Sequence, residues 1–233
     1  VVAPSTPLDV VGLLAASIRD PDPVVFLEHK SLMADKQDVP DGEILDKLGA
    51  ARVVREGTDC TIAALALMVP RALAAADRLE DQGISAEVID VRTLVPLDTQ
   101  AILGSVSKTS RLFTVEENPR LCGWGAEIAS IVADEAFWDL DGPVVRITTP
   151  HIPLPAAEAL ENGPLLVDEL RRDDERDGLA DGLLPGVPED PLGPGVPVQD
   201  RAVQAFGDDG VIRGLDDGRQ PGPSLLSPLS LAD

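Results

Sequence analysis

Between Arg52 and Ile147, short apolar runs alternate with longer segments of helical period, and this alternation constrains the fold more than any other feature of the chain. Arg52 to Arg55 reads as a weak strand, while Cys60 to Leu65, Ala86 to Val91, Leu112 to Val115 and Val144 to Ile147 read as strands. Between them, Val69, Ala72, Leu73, Ala76 and Leu79 recur at the 3.6-residue period, predicting a helix over Val69 to Gln82, with Pro70 in its first turn and Gly83 ending it. Asp98 is placed to cap a helix over Thr99 to Val106. Residues 125 to 138 form a third helical segment with a narrow polar face of Glu127, Ser130 and Asp134. Ile128, Ala129, Ile131, Val132 and Phe137 cover most of its circumference, so this helix is expected to be buried on more than one side. Strands separated by helices pair in parallel through right-handed crossovers, with helices on both faces of the sheet. The predicted class is α/β.

The flanks read differently. Residues 7 to 18 predict a short helix whose apolar face is Leu13, Leu14 and Ile18, stopped by Asp20-Pro21-Asp22-Pro23. Val24 to Leu27 reads as a buried strand. Residues 31 to 50 are polar, with a turn at Pro40-Asp41-Gly42, and read as a linker. From Arg171 onward 63 residues hold 8 Pro and 10 Gly, with 13 acidic against 6 basic residues and no sustained period. Such a segment cannot bury enough surface to offset chain entropy and is expected to be disordered.

Charge narrows the function classes. A net charge of −22 repels phosphate backbones, which argues against nucleic-acid partners and in favour of basic proteins. No run of 18 apolar residues spans a membrane, and VVAPSTPLDV lacks the basic region of a signal peptide, so the default is a cytoplasmic protein. Cys60 and Cys122 give neither a disulfide framework nor, with two distant histidines, a zinc spacing.

The stretch RLFTVEENPRLCGWGAEI, Arg111 to Ile128, holds the candidate chemistry. It reads as a strand, an acidic turn from Glu116 to Pro119, and a Gly123-Trp124-Gly125 elbow opening a helix. Open α/β sheets place functional loops past the C-terminal ends of their strands. The elbow could cradle a phosphate at a helix N-terminus. The favoured reading is a tight strand-to-helix turn, because two glycines are too few for a dinucleotide fingerprint and two glutamates repel phosphate. Glu116 and Glu117 could act as acid and base, though adjacent side chains usually diverge; the alternatives are a helix cap, a contact with a basic partner, or a solvated loop. His29 and His151 have no serine elbow to serve and read as structural or surface residues. Cys60 opens a strand as a small hydrophobe, and Cys122 sits at the elbow. The residues alone supply no complete catalytic set.

The phrases VVAPSTPLDVVGLL, DPVVFLEHK, VREGTDCTI, GISAEVIDVRTLVPLD and VEENPRLCGWGAEIASIVADEAF, in that order, resemble a known family. It is the C-terminal part of the beta subunit of the thiamine-diphosphate-dependent decarboxylase of 2-oxoacid dehydrogenase complexes, which act on pyruvate, branched-chain 2-oxoacids or acetoin. The resemblance covers about residues 1 to 165. It implies that residues 1–35 are the C-terminal remnant of a pyrimidine-binding domain, 36–50 a linker, and 51–170 a transketolase C-terminal-like domain, leaving 171–233 as the tail. Transketolase and deoxyxylulose-phosphate synthase C-terminal pieces are the nearest alternatives, and a non-catalytic acidic α/β interaction module is a third.

The resemblance further implies that thiamine diphosphate and magnesium belong to the full complex and are not bound by this chain alone. It implies no catalytic, cofactor-binding or metal residue here. The implied partners are a decarboxylase alpha subunit, a second beta subunit and a basic domain of the dihydrolipoyl acyltransferase core. The interface candidates are Glu116, Glu117, Arg120 and Trp124, with the helix that follows. Two departures from the family pattern stand out. The chain begins inside a domain, as a fragment would, and its Gly/Pro-rich tail replaces the usual closing helix, which puts acyltransferase docking in question. Ala66 also stands where relatives commonly carry glycine, predicting a less tight turn.

Overall fold

The computed structural model describes residues 1–149. The expectations for His151 and for the segment from 171 onward lie outside those residues. Five strands form one sheet: β1 (Arg52–Arg55), β2 (Cys60–Ala64), β3 (Ala86–Asp90), β4 (Leu112–Pro119) and β5 (Val145–Thr149), in the spatial order β1-β3-β2-β4-β5. β3, β2, β4 and β5 are parallel, while β1 runs antiparallel on the edge against β3. That reversal follows from a short connection: residues 56–59 cannot hold a crossover helix, so β1 cannot enter the sheet in the common direction.

Helices cover both faces. α2 (Met68–Asp81) buries Val69, Ala72, Ala76 and Leu79 against Ile62, Val88, Phe113 and Ile147. α3 (Thr99–Thr109) and α4 (Gly125–Glu135) bury Ile102, Val106, Ile128 and Val132 on the opposite face, with Ala63, Val91 and Leu112. Aromatics are scarce, so close packing comes from alanines set between strand and helix. Ala63, Ala64, Ala72, Ala75 and Ala76 are all fully buried. Asp98 caps α3 as predicted, accepting the Ala101 N–H at 3.1 Å. The β2–α2 turn is tight in spite of its alanine: Ala66 sits at φ 50°, in the left-handed region where a side chain costs about 1 kcal/mol or more.

α1 (Pro7–Arg19) starts from Thr6, whose hydroxyl accepts the Asp9 N–H at 3.1 Å. Three sequence expectations fail around it and around α4. Leu13 is buried, but Leu14 and Ile18 are 40% and 76% exposed, so the inward face of α1 is Asp9, Gly12 and Leu13 instead. Val24 to Leu27 is not a buried strand. It touches Val2 through a single bridge at Phe26, and Val25 and Leu27 are exposed, because no further strand pairs beside it among the described residues. α4 ends at Glu135, ahead of a short 3-10 turn, Phe137–Asp139. Phe137 is therefore exposed and not part of a buried helix face, and its ring meets Trp138 edge-on at 5.1 Å.

Candidate functional site: the elbow at the end of β4

The chain leaves β2 towards β3 and leaves β4 towards β5. The strand order thus reverses between β2 and β4, the place where open α/β sheets gather functional loops. β4 is longer than its apolar run, because Glu116 to Pro119 continues the strand and Pro119 pairs with Thr149. The predicted acidic turn is strand, and its two glutamates face opposite ways as successive strand residues do.

Glu116 points inward and is 3% exposed. Its Oε1 accepts hydrogen bonds from Arg146 Nε at 3.0 Å and Nη2 at 2.8 Å. Its Oε2 accepts the Gly125 N–H at 3.0 Å and Asn118 Nδ2 at 3.1 Å. The carboxylate therefore occupies the N-terminus of α4, where aligned peptide dipoles favour negative charge, and its own charge is balanced by a guanidinium. The second hydrogen of Arg146 Nη2 goes to the Arg120 carbonyl at 2.9 Å, which ties down the loop between β4 and the elbow.

This carboxylate explains the glycines. A Cβ on Gly125 would collide with a Glu116 oxygen and the Thr114 hydroxyl, and would lie 2.8 Å from Glu116 Cδ. A Cβ on Gly123 would lie 2.5 Å from Asn118 Nδ2 and 2.7 Å from Arg146 Nη2. The elbow is glycine-rich because a protein carboxylate fills it. It does not fit the diphosphate of a cofactor: the leading N–H of the helix is taken, and a second anion would meet Glu116.

Glu117 points outward. His29 Nδ1 accepts the Ser31 N–H at 3.2 Å, which leaves Nε2 as the protonated nitrogen, and Nε2 donates to Glu117 at 3.0 Å. The Thr149 hydroxyl donates to the Glu117 carbonyl at 2.9 Å. β4 is thus tied to the segment before the sheet on one side and to β5 on the other. Arg120, Leu121 and Cys122 are exposed, with Cys122 at φ 59°, while Trp124 is half-buried against the α3–α4 core. Of the four interface candidates, then, Glu117 and Arg120 face solvent, and Glu116 and Trp124 build the elbow from inside. Cys60 is buried, and burial pushes its thiol up to about 12.

Two features escaped the sequence reading. Arg146 lies inside the strand Val144–Ile147 read from the sequence, and a charged residue there is itself a signal that a buried counter-charge exists. Asp9, Asp46, Asp90, Arg52 and Arg92 form a second network where residues 1–50 meet the sheet. Arg52 Nη1 lies 2.8 Å from Asp9 Oδ1 and its Nη2 lies 3.2 Å from Asp46 Oδ2. Arg92 pairs with both Asp9 and Asp46. Asp90 closes the buried strand Ala86–Asp90, a position where an acidic residue is rare without a partner.

The comparisons with known proteins agree with this architecture. The family model for the transketolase C-terminal domain matches residues 49–166. The pyruvate dehydrogenase E1 component subunit beta of Bacillus subtilis is 47% identical over 160 residues, covering 68% of this chain and 49% of that protein. The beta subunit of the acetoin:2,6-dichlorophenolindophenol oxidoreductase of Cupriavidus necator is 44% identical over 162 residues, covering 70% and 48%. Among solved structures, a split-gene transketolase described as an inactive beta4 tetramer superposes with a TM-score of 0.58 at 27% identity, covering 67% of this chain and 49% of that one. The chain spans about half the length of the curated relatives it matches. With a five-stranded sheet flanked by helices on both faces and a family match over half its residues, the chain belongs to the transketolase C-terminal domain family.

Proposed function

We propose that this chain is the C-terminal, assembly and partner-docking portion of the beta subunit of a thiamine-diphosphate-dependent 2-oxoacid dehydrogenase acting on pyruvate, a branched-chain 2-oxoacid or acetoin. The observation that carries the reading is the 47% identity to a pyruvate dehydrogenase beta subunit over 160 residues. The reaction is oxidative decarboxylation with acyl transfer to lipoamide. Thiamine diphosphate supplies carbanion chemistry when bound. The α4 N-terminus of this chain does not fit its diphosphate, so no step is assigned to residues here.

The work of this chain is mechanical. Glu116 and Arg146 hold the elbow, and the elbow presents Glu117, Arg120 and the outer face of α4 to the alpha subunit and a second beta subunit. The acidic surface suits a basic domain of the acyltransferase core, because complementary charge steers encounter. The test is to purify the native assembly through this chain and assay dye reduction with pyruvate, 2-oxoisovalerate and acetoin. Thiamine-dependent turnover of one of them is the expected result, and turnover of none contradicts the reading. The likeness to a transketolase beta tetramer favours a second reading, in which the chain assembles with copies of itself. The native mass of the same preparation separates the two: an assembly containing alpha subunits supports the first reading, and copies of this chain alone support the second.

A further inference from the structure

Three carboxylates and two guanidiniums meet where residues 1–50 join the sheet. The charged groups facing one another are Asp9 from α1, Arg52 from β1, Asp46 from the loop before β1, and Asp90 and Arg92 at the end of β3. Asp9 and Asp90 are fully buried, and Arg92 is 2% exposed. Each guanidinium is shared between Asp9 and Asp46, which balances two negative charges with two positive ones. Among the described residues, no guanidinium pairs with Asp90. Its Oδ1 accepts the Arg92 backbone N–H at 3.1 Å, and its Oδ2 lies 2.5 Å from the Ser5 hydroxyl.

Ser5 Oγ lies between Asp90 Oδ2 at 2.5 Å and Asp9 Oδ2 at 3.4 Å, yet it has one hydrogen to give. With both carboxylates ionised, one contact is an unmade bond between buried oxygens and the cluster carries an uncompensated negative charge. With a proton on Asp90 both defects vanish: Asp90 donates to Ser5 Oγ, Ser5 donates to Asp9, and the cluster is neutral.

We propose that Asp90, Ser5 and Asp9 share one proton that latches the N-terminal segment with α1 onto the sheet, and that losing this proton releases it. The electrostatics agree in direction. Burial raises the Asp90 carboxyl to about 7, with the Asp9 charge adding to the rise and the Ser5 hydroxyl and Arg92 opposing it. A folded value above the ordinary 3.8 means the proton stabilises the latched state at low pH. That stabilisation is complete below about 4 and is lost as pH rises through about 7. The latch couples the placement of α1 to pH near neutrality, a property unrelated to which reaction the assembly performs.

The test is hydrogen exchange of the α1 amides in the full chain at pH 6 and pH 8, corrected for intrinsic rate. The expected result is a loss of protection of about tenfold across that interval, the ratio a group titrating near 7 gives. Asp90→Asn keeps a donor toward Ser5 and no charge, so its protection is expected to be the same at both values. His29→Gln, which perturbs a separate tie from the N-terminal segment to β4, is expected to leave the tenfold loss in place. Equal protection in the parent protein, a loss that persists in D90N, or a loss abolished by H29Q each overturns the proposal. Should D90N fail to fold, carbon-13 spectra of labelled aspartates decide. One carboxyl titrating above pH 6 supports the latch, and none doing so rejects it.

Discussion

Glu116 and Arg146 meet through a single oxygen: Nε and Nη2 of the arginine both donate to Oε1 of the glutamate, at 3.0 and 2.8 Å, where β4 and β5 run side by side. The pair lets β4 and β5 end beside a helix N-terminus without an unbalanced charge. Breaking a buried pair by removing one partner costs about 3–5 kcal/mol, because the charge left behind stays buried. Arg146→Met is therefore expected to lower stability by about that amount in urea unfolding. Combining it with Glu116→Gln is expected to cost less than the sum of the two singles, by about 1 kcal/mol or more.

The glycine at the start of α4 and the one inside α3 make opposite predictions. Gly125→Ala drives a methyl into the Glu116 carboxylate and is expected to destabilise by about 2–3 kcal/mol, as an overpacked site does. A Cβ on Gly104 meets nothing within 4 Å among the described residues, so Gly104→Ala is expected to stabilise by about 0.5–1 kcal/mol through helix propensity. Thermal unfolding of the two variants checks both signs.

Glu87 is 2% exposed at the edge of the α3 face, with Lys108 Nζ against its Oε2 and the Ser105 hydroxyl 2.5 Å from its Oε1. Burial pushes this carboxyl up, but Lys108, Ser105 and the Gly57 N–H together hold it below its ordinary 4.5. A depressed folded value gives stability that is present above 4.5 and lost as pH falls through the folded value. Glu87→Gln is thus expected to lower the melting temperature at pH 7 and to show a shallower decline between pH 5 and 3 than its parent.

Cys60 and Cys122 are expected to separate cleanly in a thiol titration. At pH 8 the native protein exposes Cys122 to a disulfide reagent, while Cys60, buried in β2 with its thiol pushed up to about 12, reacts only after denaturation.

The sheet was legible in the sequence because buried parallel strands and amphipathic helices leave separate periods, 4–6 apolar residues against a 3.6 repeat. Asp98 and Gly83 marked helix ends for local reasons that tertiary packing did not disturb. The antiparallel β1 was not legible, since Arg52 to Arg55 carries no sign of direction. α1 misled because its apolar residues occupy two faces, and only packing against Asp46 and Ile44 at Gly12 selects the inward one. At the elbow, composition gave the glycines and the acids but not their relation. The same letters serve a phosphate cradle or a carboxylate-capped helix, and Arg146, 30 residues beyond Glu116, decides between them. The buried Asp90 was hidden for the same reason: its partners Ser5 and Asp9 lie about 80 positions away.

The proposed assembly joins this chain to an alpha subunit. Native mass spectrometry of the purified chain mixed with the alpha subunit of a bacterial pyruvate, branched-chain 2-oxoacid or acetoin dehydrogenase tests it most directly. The account predicts a stoichiometric complex of two alpha and two beta chains, weakened by Trp124→Ala. Finding only self-associated or monomeric chain with every alpha subunit offered contradicts it.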